Sequence, residues 1–396
     1  MPDPLRPIHT PTALRPVHTP TTLRLILTPT ALARLALGWG SVLALLLAGP
    51  LLAPPVPAPF LVTVLALTIG VILVCAFGVV HEAEHLARRL GDPYGSLVLT
   101  LSIVMIEVIL ISAVMLGPGT HTTIARDSVM AVSMIILNAV IGLGLLVGGL
   151  RHGHMAHNRT GTSAYLALIV VLSSLAFALP AVIGDDGSYS GGQAAPIVLL
   201  TLLLYAFFLF QQMGRRAEDF REVDPRVASR AAGAAAGLEE SREDGTTVLA
   251  GEGATALAEG RPRVLDVIAA HRTEVAARAV LLVVTVLPIV LLSHQMAALL
   301  DDGLGRLGAP AALSGVLIAM IVFLPESITA VRAALGGEIQ RVSNLCHGAL
   351  VSTVGLTIPA VLTIGALTNQ TVVLGESPVN LMLLGVTLLL TATTFL

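Results

Sequence analysis

The chain has 396 residues, 55% of them hydrophobic and 12% charged, with a net charge of -3 and a mean hydropathy of +0.87. Soluble domains carry roughly 25% charged residues, so an ordinary water-soluble fold is excluded. The nearly balanced charge leaves no basic footprint for nucleic acid.

The chain opens on a low-complexity tail, residues 1–32, in which RPIHTPTAL (6–14), RPVHTPTTL (15–23) and RLILTPTAL (24–32) repeat every nine residues. Pro and Thr at this density predict a disordered cytoplasmic tail. An Arg-bearing, acid-poor organelle transit peptide is the alternative. About ten apolar stretches follow, each near the ~20 residues that a helix needs to cross a bilayer. They cover residues 35–54, 60–80, 94–116, 129–150, 162–183, 195–213, 279–299, 310–331, 344–367 and 379–396. The connections are short except for residues 214–278, which hold 12 of the 25 acidic residues and 10 of the 22 arginines. That composition predicts a solvated linker. The organisation expected is a tail (1–32), a first transmembrane half (33–213), the linker (214–278) and a second half (279–396). Cys75 and Cys346 both fall in apolar spans and read as small hydrophobes with no redox role.

Arginine placement orients the spans. Segments 81–93, 151–161 and 214–278 are Arg-rich and alternate with Arg-poor segments such as 55–59 and 184–194. The Arg-rich ones are then cytoplasmic, with the N-terminus inside. Between Tyr94 and His121 the sole acidic or basic residue is Glu107, and between Leu307 and Val331 it is Glu326. A carboxylate at that depth is costly unless it is protonated, paired or coordinating a cation. The two glutamate spans run in opposite senses, one in each half. That is the pattern of inverted-topology repeats in secondary transporters, whose sites lie near the bilayer midplane. The fold expected is therefore an all-α polytopic membrane protein of about ten transmembrane helices in two inverted-topology repeats.

Polar groups near each glutamate are candidate accessory ligands. Pro325 precedes Glu326 and leaves the carbonyl of Ile321, four residues earlier, without its donor. Thr329 lies one turn after Glu326, and Thr100 and Ser102 lie on the turns before Glu107. Asn138, Asn344, Ser352 and Thr353 occupy the spans that follow. Hard cations take oxygen ligands, about six to eight for Ca²⁺. Each hydroxyl is read equally well as helix back-bonding or interhelical packing.

Residues 91–116 (GDPYGSLVLTLSIVMIEVILISAVML), 324–345 (LPESITAVRAALGGEIQRVSNL) and 355–362 (GLTIPAVL) resemble ChaA-type cation/proton antiporters of the calcium/cation antiporter superfamily. The resemblance runs from about Phe60 to Leu390, and HEAEHLARRLGDPYG (81–95) is similar to the segment leading into the first glutamate. It implies two inverted five-helix repeats behind an extra first helix, with Glu107 and Glu326 as the transport carboxylates. It implies exchange of Ca²⁺, or Na⁺ and K⁺, for H⁺, and puts Ser352 near a polar ligand position of the second repeat. Many calcium/proton exchangers of the superfamily carry Gly-Asn four and three residues before the glutamate. Here those positions are Ile103 and Val104, and Val322 and Phe323, which leaves the choice between Ca²⁺ and monovalent ions open. The family pattern also expects one more span after residue 396.

His81-Glu82-Ala83-Glu84-His85 matches H-E-x-x-H, the helix signature of zinc proteases, so a membrane-embedded zinc metalloprotease is the rival of another class. Its third ligand is missing, because Asp301 and Asp302 fall in a loop on the opposite side. The milder alternatives are polar capping of a helix end, or a cytoplasmic mouth where His81, Glu82, Glu84 and His85 attract cations or sense pH. His152, His154 and His157 read as a solvated loop, with metal sensing as the alternative.

The function expected is secondary active cation/proton antiport, not enzymatic catalysis, with no cofactor. Two facing glutamates neutralise one Ca²⁺; emptied of metal they repel and take up protons. The partners expected are the cation, H⁺ and the lipid bilayer, in a bacterial cytoplasmic membrane, with a homo-oligomer left open.

Overall fold

The structure is a computed structural model that describes residues 27–52, 56–90, 94–116, 122–153, 155–214, 216–220, 272–310 and 312–396. Most of the nine-residue repeat and of the charged linker lies outside the described residues. So do His154 and the side chain of Thr100.

The described residues form ten helical rods: α1 (Pro29–Leu47), α2 (Ala58–Leu90), α3 (Tyr94–Met115), α4 (Ile124–His152), α5 (Arg159–Ile183), α6 (Gly191–Met213), α7 (Arg272–Arg306), α8 (Ala312–Leu335), α9 (Ile339–Thr368) and α10 (Pro378–Phe395). Among the described residues there is no strand, and two isolated bridges, Asp185 with Ser188 and Ser188 with Val373, are the extended pairing. Eight rods are long and apolar enough to cross a membrane, nine if the bent α8 counts as one span.

The rods start where the sequence supplies caps. Thr28 Oγ1 accepts from the Ala31 N–H at 3.2 Å and Pro29 takes the first helical position, so the last copy of the repeat starts α1. Asn158 Oδ1 caps α5 through Thr160 N at 3.0 Å, and Ser377 Oγ caps α10 through Asn380 N at 3.2 Å. The outer surfaces of the bundle are apolar, with Leu46, Phe207, Phe210 and Leu389 largely exposed. That suits lipid rather than water as the surrounding solvent.

The halves interleave around α3, α8 and α9. Helix α7 packs on α1, α2 and α3, while α9 packs on α3, α5 and α8. The two-fold plan is visible in α4 and α9, which occupy matching places after the two glutamate helices. Both are near thirty residues, 29 and 30, and both are broken mid-span by a π-helical segment, Ile135–Val140 in α4 and Thr353–Thr357 in α9. A π segment widens the helix by a residue and re-aims the side chains around it.

Two features tie the halves together at opposite ends. At one end Arg278 of α7 meets Glu82 of α2, Nη1 to Oε2 at 2.6 Å, with 12% and 8% of the side chains exposed. At the other end the segment between α9 and α10 threads among first-half loops. Val373 N donates to Thr122 O at 2.9 Å, Gly375 N to Gly187 O at 2.8 Å and Glu376 N to Phe177 O at 3.1 Å. Phe177 lies in the π segment of α5 (Ser174–Ala178), where the helical register slips. Arg126 adds a bond to Gly375 O at 3.1 Å and approaches Glu376 Oε1 at 3.7 Å.

Candidate functional site

Glu107 stands near the middle of α3 and Glu326 in the second half of α8, and they are 2% and 3% exposed. The register of α8 is set by Pro325, which cannot donate to the carbonyl one turn back. The helix bends by 49° between Leu313–Ile321 and Phe323–Leu335, at the turn whose carbonyl Pro325 leaves free. Helix α8 packs against α3, so the two glutamate helices are neighbours in the bundle.

One side chain from the second half bonds Glu107. Thr353, fully buried at the first residue of the α9 π segment, donates from Oγ1 to Glu107 Oε2 at 2.5 Å. This bond links the two halves at the level of the carboxylates. Glu107 Oε1 and both oxygens of Glu326 have no hydrogen-bond partner among the described residues. A buried polar atom without a partner costs on the order of 1–3 kcal/mol. Three such oxygens from two acids form a candidate site whose ligand chemistry suits a hard cation or protons. No group of three His, Cys, Asp or Glu among the described residues converges as a metal centre. The oxygen-rich arrangement therefore rests on two acids and a hydroxyl.

The other predicted neighbours are engaged elsewhere. Ser102 Oγ donates to Val98 O at 2.7 Å, and Thr329 Oγ1 to Pro325 O at 3.0 Å, both bonds to the preceding turn. Asn138 lies in the α4 π segment but is exposed and bonds Thr387 of α10, Nδ2 to Oγ1 at 3.3 Å. Asn344 donates to Phe220 O and accepts from Gln340 Nε2 at 3.0 Å, pinning the start of the linker. Ser352 Oγ pairs with the hydroxyl of Tyr205 on α6 at 3.0 Å. Ile321 stands at the edge of the bend, so its carbonyl belongs to the irregular turn of α8.

The His81–His85 motif lies in the last turns of α2. The two rings meet edge to face with centroids 4.6 Å apart. Glu82 is engaged by Arg278. Asp301 and Asp302 stand at the far end of α7, roughly 35 Å from Arg278 at 1.5 Å per helical residue, so they supply no third ligand to this pair. At the end of α4 His152 Nε2 meets Leu335 O, and in the loop before α5 His157 Nε2 meets Phe395 O, each at 2.8 Å. These histidines clasp helix ends of the second half.

The sequence reading missed Tyr205, Arg278 and the Arg126–Glu376 contact. A signal existed only for Tyr205, a hydroxyl-bearing aromatic in an otherwise apolar run of α6.

Comparisons with known proteins bear on the family and the fold. The profile of the sodium/calcium exchanger protein family matches residues 60–214. The chain is 34% identical over 330 residues to the putative ionic transporter y4hA of Sinorhizobium fredii (strain NBRC 101917 / NGR234), covering 83% of this chain and 80% of that protein. It is 29% identical over 320 residues to the sodium-potassium/proton antiporter ChaA of Escherichia coli (strain K12), covering 79% and 76%. Among solved structures, native YfkE superposes with a TM-score of 0.58 at 14% identity, over 91% of each chain. The H⁺/Ca²⁺ exchanger CAX superposes at 0.54 and 14% identity, over 92% of this chain and 80% of that one.

Proposed function

The chain belongs to the sodium/calcium exchanger protein family of the calcium/cation antiporter superfamily, and from that premise we propose that it exchanges Ca²⁺ for H⁺ at Glu107 and Glu326 by alternating access. A bacterial cytoplasmic membrane is the setting this reading assumes. The observation that carries it is the buried carboxylate pair, held on one helix from each half, with three oxygens free of hydrogen-bond partners among the described residues.

The mechanism follows from charge. Two ionised carboxylates neutralise one divalent cation, so the loaded site crosses the apolar interior nearly neutral. With the cation gone, two buried like charges repel, and each takes a proton to restore neutrality. The doubly ionised empty site is the state the surroundings penalise most. Forbidding its passage couples cation flux to proton flux. Thr353 steadies one carboxylate by donating to it. Because it belongs to the other half, relative movement of the halves would act on its bond to Glu107.

A second reading, exchange of Na⁺ or K⁺ for H⁺ at the same carboxylates, is favoured by one observation. Thr353 is the one side-chain hydroxyl bonded to the pair among the described residues, a sparse oxygen shell for Ca²⁺. The two are separated by pH-gradient-driven uptake of radiolabelled Ca²⁺ and Na⁺ into inside-out vesicles. Ca²⁺ uptake that collapses with the gradient supports the first; uptake of Na⁺ alone would replace it with the second.

A further inference from the structure

One hydroxyl of the second half reaches Glu107 of the first, so whatever fixes that hydroxyl acts on the site. Thr353 begins the π segment of α9, and that segment is gripped from behind by α6. Tyr205 of α6 is 4% exposed and bonds Ser352, the residue before Thr353, through its hydroxyl at 3.0 Å. Its ring lies on Gly355, two residues after Thr353. A Cβ at Gly355 would fall 3.0, 3.1 and 3.2 Å from the Tyr205 Cδ2, Cγ and Cβ atoms. One aromatic side chain thus holds the π segment on both sides of Thr353. Successive helical side chains point about 100° apart, so Ser352 faces Tyr205 while Thr353 faces Glu107.

We propose that Tyr205 is a positioning residue for cation exchange: by bonding Ser352 and filling the notch at Gly355, it fixes the π segment so that Thr353 Oγ1 meets Glu107 Oε2. Tyr205 does not touch the cation. It acts through Thr353, and the inference rests on the two-glutamate reading. A π turn is weakly self-supporting, because one extra residue is fitted into the hydrogen-bond ladder. Without the outside grip the segment relaxes toward regular helix and Thr353 rotates off the carboxylate. A Cβ at Gly355 would press on the ring, which would have to give by a few tenths of an ångström and so loosen its hold on the segment.

The test is a double-mutant cycle on full-length protein in vesicles, reading KM and maximal rate for radiolabelled Ca²⁺ at fixed pH gradient. Tyr205→Phe keeps the ring and removes only the hydroxyl, so the fold is retained. It is expected to raise KM about fivefold, the equivalent of one ordinary hydrogen bond, with protein abundance unchanged. Thr353→Val is expected to raise KM at least as much. The double variant should behave like Thr353→Val alone, because Tyr205 has nothing left to position. Gly355→Ala should reproduce the change of Tyr205→Phe. An unchanged KM in Tyr205→Phe overturns the proposal, and so do Tyr205→Phe and Thr353→Val effects that simply multiply. Failure of the underlying site would look different: Thr353→Val and Glu107→Gln would each leave exchange intact, and the proposal would fall with the site.

Discussion

At the scale of single residues the chain is governed by a few charges in apolar surroundings. Arg278 and Glu82 show the same economy as the glutamate pair but satisfy one another. Removing the arginine leaves a nearly buried carboxylate without its partner. Arg278→Ala is therefore expected to cost about 1–3 kcal/mol, read as a lowered unfolding temperature in detergent, while Arg278→Lys should recover part of the loss. An unchanged midpoint would mean that the pair contributes nothing net, as exposed pairs often do. Glu107 and Glu326 were legible in the sequence because each is the sole charge in a span-length apolar run. Thr353 was legible only as one hydroxyl among many. Ser102 and Thr329 sit at equally suggestive spacings yet bond their own helix, and nothing in one-dimensional spacing separates a back-bonded threonine from one that reaches across a bundle.

At the scale of elements, hydropathy located the spans and missed what interrupts or extends them. The stretch predicted at 60–80 belongs to a helix that runs on to Leu90, because HEAEHLARR keeps helical bonding after it leaves the apolar layer. The stretch at 279–299 likewise begins at Arg272. The π segments in α4, α5 and α9 leave no mark on composition, since the same residues would fit a regular helix. The segment between α9 and α10 was equally hidden, because its bonds run through backbone carbonyls of distant loops. Its stability can be read residue by residue. Glu376→Gln together with Arg126→Ala should raise amide hydrogen exchange at Val373, Gly375 and Glu376 about fivefold, the equivalent of one lost hydrogen bond. Exchange in α2 should stay unchanged. Faster exchange throughout the protein would instead mean global destabilisation.

At the scale of the molecule, the account requires the two glutamate helices to cross the membrane in opposite senses. Arginine distribution gives that orientation, and residues 214–278 should then face the cytoplasm. Single cysteines in a background lacking Cys75 and Cys346 test it. Ser241 samples the linker, and Asp185 samples the α5–α6 loop, where the neighbouring Ser188 is buried and a poor reporter. An impermeant thiol reagent added outside should label Asp185→Cys and not Ser241→Cys. Labelling of both from one side would dissolve the opposed arrangement and the shared site with it.

The central claim is that Glu107 and Glu326 hold either a cation or protons, and never stand doubly ionised and empty as the halves move. Replacing each with Gln tests this most directly, because Gln keeps the size and polarity of the protonated acid and cannot ionise. Purified Glu107→Gln and Glu326→Gln proteins, reconstituted at equal density, should insert normally and show no pH-gradient-driven Ca²⁺ or Na⁺ uptake above protein-free vesicles. Uptake near the wild-type rate by either variant would contradict the account.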